Sequence, residues 1–275
     1  MPNFGQRLRG AFDRYGHLCV GIDPTPDQLA NWGLEFSAKG AGDFAYRIID
    51  AAQDCIGIIK PQVAFFEQFG SKGFQVLEAI LERASESELL VIADAKRGDI
   101  GSTMNGYSAA WLSKDAVFQA DALTISPFLG PESLNEVVSI ANQSGRGIFL
   151  LAATSNPEAK TLQMSTNSGL TVARQICDYA AKNNAADLGS IGVVIGANVR
   201  VEDFGIAEEN LKSTPILAPG FGFQGAELQS VVSTFGSNSQ NVICNVSRSI
   251  TSYSKDSIVS RIENAKLELV EGMTK

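Results

Sequence analysis

The sequence predicts a single-domain (β/α)8 TIM barrel of the α/β class spanning residues 1–275, on three observations. Short apolar runs recur eight times, segments with helical spacing lie between them, and no Pro/Gly/Ser-rich linker or shift in composition divides the chain. The runs are Leu18 to Ile22, Ile56 to Ile59, Leu89 to Ala93, Ala122 to Ser126, Ile148 to Ala153, Ile191 to Ala197, Ile216 to Ala218 and Val242 to Val246. Runs that are apolar throughout mark strands buried on both faces, as in a parallel sheet. Phe74, Leu77, Ile80 and Leu81 before the third run, and Ile258, Ile262 and Leu269 after the eighth, fall at the three-to-four-residue interval of an amphipathic helix. Eight such units within roughly 250 residues favour closure over an open doubly wound sheet. A dinucleotide-binding sheet would also want G-x-G-x-x-G directly after the first strand. Here that strand runs into Gly21-Ile22-Asp23-Pro24, where proline stiffens the turn.

With 275 residues, 44% of them hydrophobic and 19% charged, the chain can bury a full core. Its formal charge of −8 and pI near 4.8 disfavour nucleic acid and anionic membranes as partners, so any phosphate must be held by a local group. No run approaches the about 20 apolar residues of a membrane span, and Arg7, Arg9, Asp13 and Arg14 interrupt any apolar core of a signal peptide. Cys19, Cys55, Cys177 and Cys244 are far apart and form no C-x-x-C pair, which fits a reducing, cytoplasmic setting. One histidine, His17, stands just before the first strand, at the end of a barrel remote from chemistry, and is expected to be structural.

Chemistry in such a barrel sits where strands end. The first run leads to Asp23, the second to Lys60, the third to Asp94 and Lys96, the fifth to Thr154-Ser155 and the eighth to Ser247-Arg248. After the seventh comes a glycine-punctuated loop, Pro219-Gly220-Phe221-Gly222-Phe223-Gln224-Gly225, expected to be flexible. A period of two puts Asp94 and Lys96 on one strand face. Burying such a pair costs more than it returns unless the two groups engage, since at an effective dielectric near 20 a contact at ~4 Å gives only about 4 kcal/mol. Lys60, from the adjacent strand, is placed to join them. Asp99 follows Gly98, which breaks the strand, so the pleat does not fix its direction.

The string Asp94-Ala95-Lys96-Arg97-Gly98-Asp99, a D-x-K-x-x-D pattern continuing as Ile100-Gly101-Ser102-Thr103, resembles the signature of the orotidine 5'-phosphate decarboxylase family. The likeness covers nearly the whole chain: Asp23, Lys60, Ser155 in Thr-Ser-Asn-Pro, Gln224 in Gly-Phe-Gln-Gly and Arg248 in Ser-Arg-Ser-Ile. It implies decarboxylation of orotidine 5'-monophosphate to uridine 5'-monophosphate, the last step of UMP biosynthesis, with no metal and no cofactor. Lys60, Asp94, Lys96 and Asp99 would form the catalytic charge network. Asp99, Ile100 and Thr103 would reach into the partner's site of a homodimer. Asp23 and Lys60 would bind ribose hydroxyls, Ser155 the pyrimidine, and Gln224 and Arg248 the phosphate. Lys96 would stabilise the ring carbanion and then protonate it. Many relatives have glycine before the phosphate arginine, where this chain has Ser247. The segments Thr25 to Gly42 and Asn156 to Gly169 resemble the longer-loop branch of the family.

Three other readings compete, one of them a Schiff-base aldolase built on Lys96, which the aspartate two residues away on the same face disfavours. A magnesium-dependent keto-sugar-phosphate decarboxylase or aldolase shares the third strand but places an acidic residue after the second, where this chain has Lys60, a cation that would oppose a metal ion. A non-catalytic nucleotide-binding barrel would be expected to lose one of the four charges, and all four are present.

Overall fold

The structure, a computed structural model, describes residues 2–185, 187–252 and 257–274, so Met1, Ala186, residues 253–256 and Lys275 of the expected 1–275 domain lie outside it. Its strands, in chain order, are β1 Leu18–Ile22, β2 Ile58–Pro61, β3 Leu90–Arg97, β4 Ala122–Ile125, β5 Gly147–Ala153, β6 Thr166–Asn167, β7 Leu170–Thr171, β8 Ile191–Ile195, β9 Ile216–Pro219 and β10 Val242–Val246. Eight of them close into a barrel in the order β1-β10-β9-β8-β5-β4-β3-β2, every neighbouring pair parallel, with helices in the crossovers. This is the predicted (β/α)8 architecture. β6 and β7 form an antiparallel hairpin outside the barrel.

Alternation along the strands separates two apolar cores. Cys19, Ile58, Ile92, Phe149, Val194, Leu217 and Ile243 cluster in the barrel interior, and Phe4, Leu8 and Phe12 of helix Phe4–Tyr15 plug it from below. That helix begins with a reciprocal cap, Asn3 and Gln6 each bonding the other's backbone N–H. The intervening strand residues, such as Val20, Ile59, Val91, Leu123 and Ile148, pack outward against the helices. With a packed floor, open space is left at the C-terminal mouth.

Several boundaries differ from the apolar runs. β2 begins two residues later than Ile56, because the Ile56 N–H still bonds the Ala52 carbonyl at the end of helix Ala38–Ala52; Lys60 therefore lies inside the strand. β3 continues four residues beyond Ala93, carrying Asp94, Lys96 and Arg97 as strand residues, with a register shift against β4 between Ala93 and Arg97. Apolarity alone cannot mark a strand that ends in charges. The segment Thr25–Gly42 is not an irregular loop: Thr25 caps helix Pro26–Asn31, with Pro26 in its first turn, and helix Ala38–Ala52 begins within it. Likewise Asn156–Gly169 contains helix Ala159–Gln163 and β6.

His17 lies at the barrel floor, stacked on Phe12 with ring centroids 4.0 Å apart and Nδ1 3.0 Å from the Val242 carbonyl oxygen. Burial holds its pKa below the usual 6.5, against a smaller opposing pull from that carbonyl. All four cysteines are free thiols. Among the described residues no helix is long and apolar enough to cross a membrane.

Candidate active site

The mouth holds a cavity of about 250 Å3 whose walls include Asp23, Lys60, Asp94, Lys96, Gln224 and Arg248. Parallel pairing explains how they converge: β1, β2 and β3 lie side by side, and β10 closes on β1, so strand ends distant in sequence become neighbours.

Asp94 is the hub. Its Oδ2 accepts from Lys60 Nζ at 3.0 Å, and its Oδ1 accepts from Lys96 Nζ at 2.6 Å and from Thr124 Oγ1 at 2.9 Å. Lys60 and Asp94 are buried, at 4% and 8% exposure, whereas the Lys96 side chain is 46% exposed. One ammonium is thus sealed in the wall and the other is open to the cavity. Burial by itself pushes the Asp94 carboxyl up, but Lys60 and then Lys96 overcome it and hold the group well below the usual carboxylate range. For Lys60, burial pulls down, yet Asp94 and Asp23 prevail and hold the ammonium above the usual lysine range. Both groups are therefore charged across neutral pH. Cys19, against the underside of this cluster, is pushed up to about 12 by burial and stays a thiol.

The strand pleat expected to set Asp94 and Lys96 on one face does not do so unaided. Lys96 has φ +46°, in the left-handed region, at the irregularity between β3 and β4. A non-glycine residue there costs about 1–3 kcal/mol. The kink is held by Thr124, whose hydroxyl accepts the Lys96 N–H at 2.9 Å while donating to Asp94. A single buried hydroxyl therefore locks both the backbone of one lysine and the carboxylate that pairs with it.

Asp23 follows β1. Its Oδ2 accepts a hydrogen bond from Ser247 Oγ, while Oδ1 is buried and no donor reaches it among the described residues. Arg248 opens the short helix Arg248–Thr251, with its guanidinium carbon 4.0 Å from the Phe223 ring centroid. The loop carrying Phe223 and Gln224 is more ordered than its glycines suggest. Gly222 N–H bonds the Ala226 carbonyl, Gly225 N–H bonds the Gly222 carbonyl, and Asn198 Nδ2 donates to the Gln224 carbonyl, all at 2.8 Å. Gly220, Gly222 and Gly225 all have positive φ, so their flexibility in the chain is used to make one defined turn.

The remaining expected residues stand apart from this cluster within one chain. Ser155 is exposed beyond the rim, where its neighbour Thr154 lines the cavity. Asp99 is half-buried and accepts the Ile100 N–H at 2.8 Å; Thr103 is exposed, and Ile100 is 57% exposed. Reading the sequence missed Thr124, Gln62 and Phe223. Thr124 carried a usable signal, a hydroxyl at the centre of an otherwise apolar barrel strand, whereas Gln62, 3.4 Å from Lys60 Nζ, did not. Among the described residues no group of three or more His, Cys, Asp or Glu side chains is arranged to hold a metal ion.

Comparison with known proteins finds relatives along nearly the whole chain. The family model described as "Orotidine 5'-phosphate decarboxylase / HUMPS family" matches residues 16–259. The chain is 44% identical over 263 residues to the orotidine 5'-phosphate decarboxylase of Corynebacterium glutamicum, covering 92% of each chain. It is also 44% identical over 262 residues to that of Streptomyces coelicolor, covering 93% of this chain and 92% of the relative. Among solved structures, a Streptomyces avermitilis protein assigned as an orotidine 5'-phosphate decarboxylase superposes with a TM-score of 0.95 at 39% identity, over 100% of this chain and 97% of the other.

Proposed function

We infer that this chain, which belongs to the orotidine 5'-phosphate decarboxylase family, carries out its reaction through the Lys60–Asp94–Lys96 array. It is a carboxy-lyase that converts orotidine 5'-monophosphate to uridine 5'-monophosphate, the last step of UMP biosynthesis. The observation that carries the mechanistic proposal is a half-exposed ammonium bonded to a buried carboxylate that a second, sealed ammonium keeps charged.

In this mechanism the bond from ring C6 to the carboxylate breaks, its electron pair stays on C6, and carbon dioxide leaves. No adjacent carbonyl can accept that charge, so a preorganised cation must. The Lys96 ammonium lies open to the cavity, stabilises the carbanion, and then gives it a proton, regaining one from water. Asp94 sits beside the substrate carboxylate, and their repulsion is relieved as carbon dioxide departs. Lys60 holds Asp94 charged and, with Asp23, binds ribose hydroxyls. Gln224 and Arg248 take the phosphate at the far end, where a guanidinium at a helix start suits a dianion. Ser155 contacts the pyrimidine. This route uses no metal and no cofactor.

The whole chain works as one domain, and two copies complete each other. Asp99, Ile100 and Thr103 lie outside their own cavity, as expected if they serve the partner's. The exposed apolar side chains of Ile100, Phe128 and Leu129, on the segments after β3 and β4, supply a face for that contact. Four free thiols suit a cytoplasmic setting.

The test is an ultraviolet assay on orotidine 5'-monophosphate with protein stripped by a chelator. Full conversion to uridine 5'-monophosphate is expected. Turnover that returns only with a divalent metal, or that requires a keto-sugar phosphate, would overturn the proposed mechanism.

A further inference from the structure

We propose that Ser247 is a positioning residue for substrate binding: its hydroxyl orients the Asp23 carboxylate so that Oδ1 meets a ribose hydroxyl, and it couples that end of the cavity to the phosphate end. This rests on the nucleotide-binding reading above, and three observations carry it.

The first is the bond itself. β1 and β10 are paired neighbours, with Val20 opposite Val246, so Asp23 and Ser247 leave the barrel side by side. Ser247 Oγ donates to Asp23 Oδ2, which leaves Oδ1 buried at the cavity wall with no donor reaching it among the described residues. A buried carboxylate oxygen lacking a donor is costly, and in native proteins such an atom calls for a partner. A substrate hydroxyl is a donor of the right kind.

The second is that the seat for the serine is shaped. A Cβ placed on Gly21 would come within 2.7 Å of Ser247 Oγ and 2.9 Å of its Cβ. The hydroxymethyl group occupies the space that the missing side chain of residue 21 leaves free, so its rotamer is fixed by packing as well as by the bond.

The third is where the hydroxyl does not go. Ser247 is the N-cap residue of helix Arg248–Thr251, a position from which serine ordinarily bonds the helix N–H groups, yet it makes no side-chain cap bond. Its carbonyl accepts from the N–H groups of Ile250 and Thr251, both at 3.0 Å, while its hydroxyl turns to Asp23. One residue is therefore built by its backbone into the turn bearing Arg248 and by its side chain into the group facing the ribose.

Binding of uridine 5'-monophosphate, 2'-deoxyuridine 5'-monophosphate and the 3'-deoxy analogue to wild type and Ser247→Ala tests this, alongside steady-state kinetics on orotidine 5'-monophosphate. Ser247→Ala is expected to weaken uridine 5'-monophosphate roughly 5- to 10-fold, the scale of one lost hydrogen bond, and to raise KM more than it lowers kcat. For the deoxy analogue lacking the hydroxyl that Asp23 accepts, the penalty is expected to fall below about twofold, and in an Asp23→Ala background to vanish. Gly21→Ala pushes on the same contact from the opposite side and should reproduce the pattern, which covers the case of a poorly folding Ser247→Ala. Equal weakening of all three nucleotides would make Ser247 a packing residue, and unchanged affinity would remove its role; either result overturns the inference. Wild-type protein inactive on orotidine 5'-monophosphate would instead remove the functional reading beneath it.

Discussion

Replacing Thr124 by valine keeps the side-chain shape and deletes one hydroxyl, and that hydroxyl has two partners. It donates to Asp94 Oδ1 at 2.9 Å and accepts the Lys96 N–H at 2.9 Å, from a position only 1% exposed. A hydrogen bond to a charged group contributes about 1.5–3 kcal/mol, and a backbone N–H left unpaired costs about 1–3 kcal/mol. Asp94 keeps both ammonium partners, and partial exposure of Lys96 lets its N–H recover some solvation, so the net loss should be about 2–4 kcal/mol of folding stability. The larger consequence is geometric. Without its acceptor, the φ +46° kink at Lys96 can relax toward an ordinary strand and carry the amine with it, and a displacement near 1 Å costs on the order of 100-fold in rate. Urea unfolding and initial rates on orotidine 5'-monophosphate should show Thr124→Val destabilised and roughly 10- to 100-fold lower in kcat, with Thr124→Ser near wild type. A valine variant that loses stability but keeps kcat within about twofold would refute the reasoning. So would a serine variant as impaired as valine, since the methyl group would then be what matters.

Lys96→Ala should abolish turnover while urea unfolding and nucleotide binding stay close to wild type; residual activity well above background would assign the proton to another donor. Asp94→Asn should cost about 3–5 kcal/mol near neutral pH by leaving the buried Lys60 ammonium uncompensated. Because the folded-state pKa of Asp94 is depressed, its contribution is fully present above the unfolded value near 3.9 and lost as pH falls below it, so wild type and variant should converge in acid. A gap in urea midpoints that stays constant from pH 7 to pH 3 would contradict the pairing. Lys60 works in the opposite sense: its raised pKa contributes stability below about 10.4 that is lost as pH climbs past the folded-state value, so neither partner should titrate in the kcat profile between about pH 5 and 9. Mixing inactive Lys96→Ala and Asp99→Ala proteins should restore activity, toward about a quarter of the wild-type level when subunits exchange at random. No recovery after exchange is verified would place Asp99 in its own subunit's site, and an Asp99→Ala protein that is active on its own would place it in none.

How far the sequence could be read depended on what kind of information each residue carried. Strand and helix order was legible because burial on both faces writes a near-continuous apolar run, and β1 and β10 were located to the residue. The charged end of β3 was not, because a run defined by apolarity stops where Asp94 begins, although backbone pairing continues through Arg97. Asp23, Lys60, Asp94, Lys96 and Arg248 could be nominated from strand ends and Gln224 from the family resemblance, and all six meet in one cavity. Thr124 and Ser247 were visible as hydroxyls on barrel strands or at their ends, but the groups they hold could not be read. Thr124 acts through two bonds whose partners lie 28 and 30 residues away, and Ser247 through one 224 residues away. Such pairings exist only once the barrel has closed. The turn after β9 shows the same limit, since three glycines announce conformational freedom but not the hydrogen bonds that use it up.

The left-handed backbone at Lys96 places chemistry and durability in opposition at one position. A glycine there would accept the same φ without the steric penalty, so Lys96→Gly should unfold at higher urea than Lys96→Ala even though neither can donate a proton. Selection on robustness alone would favour emptying this position of its side chain. A long, charged residue persisting at so uncomfortable an angle marks a place where the chain gives up resilience to keep a reagent aimed.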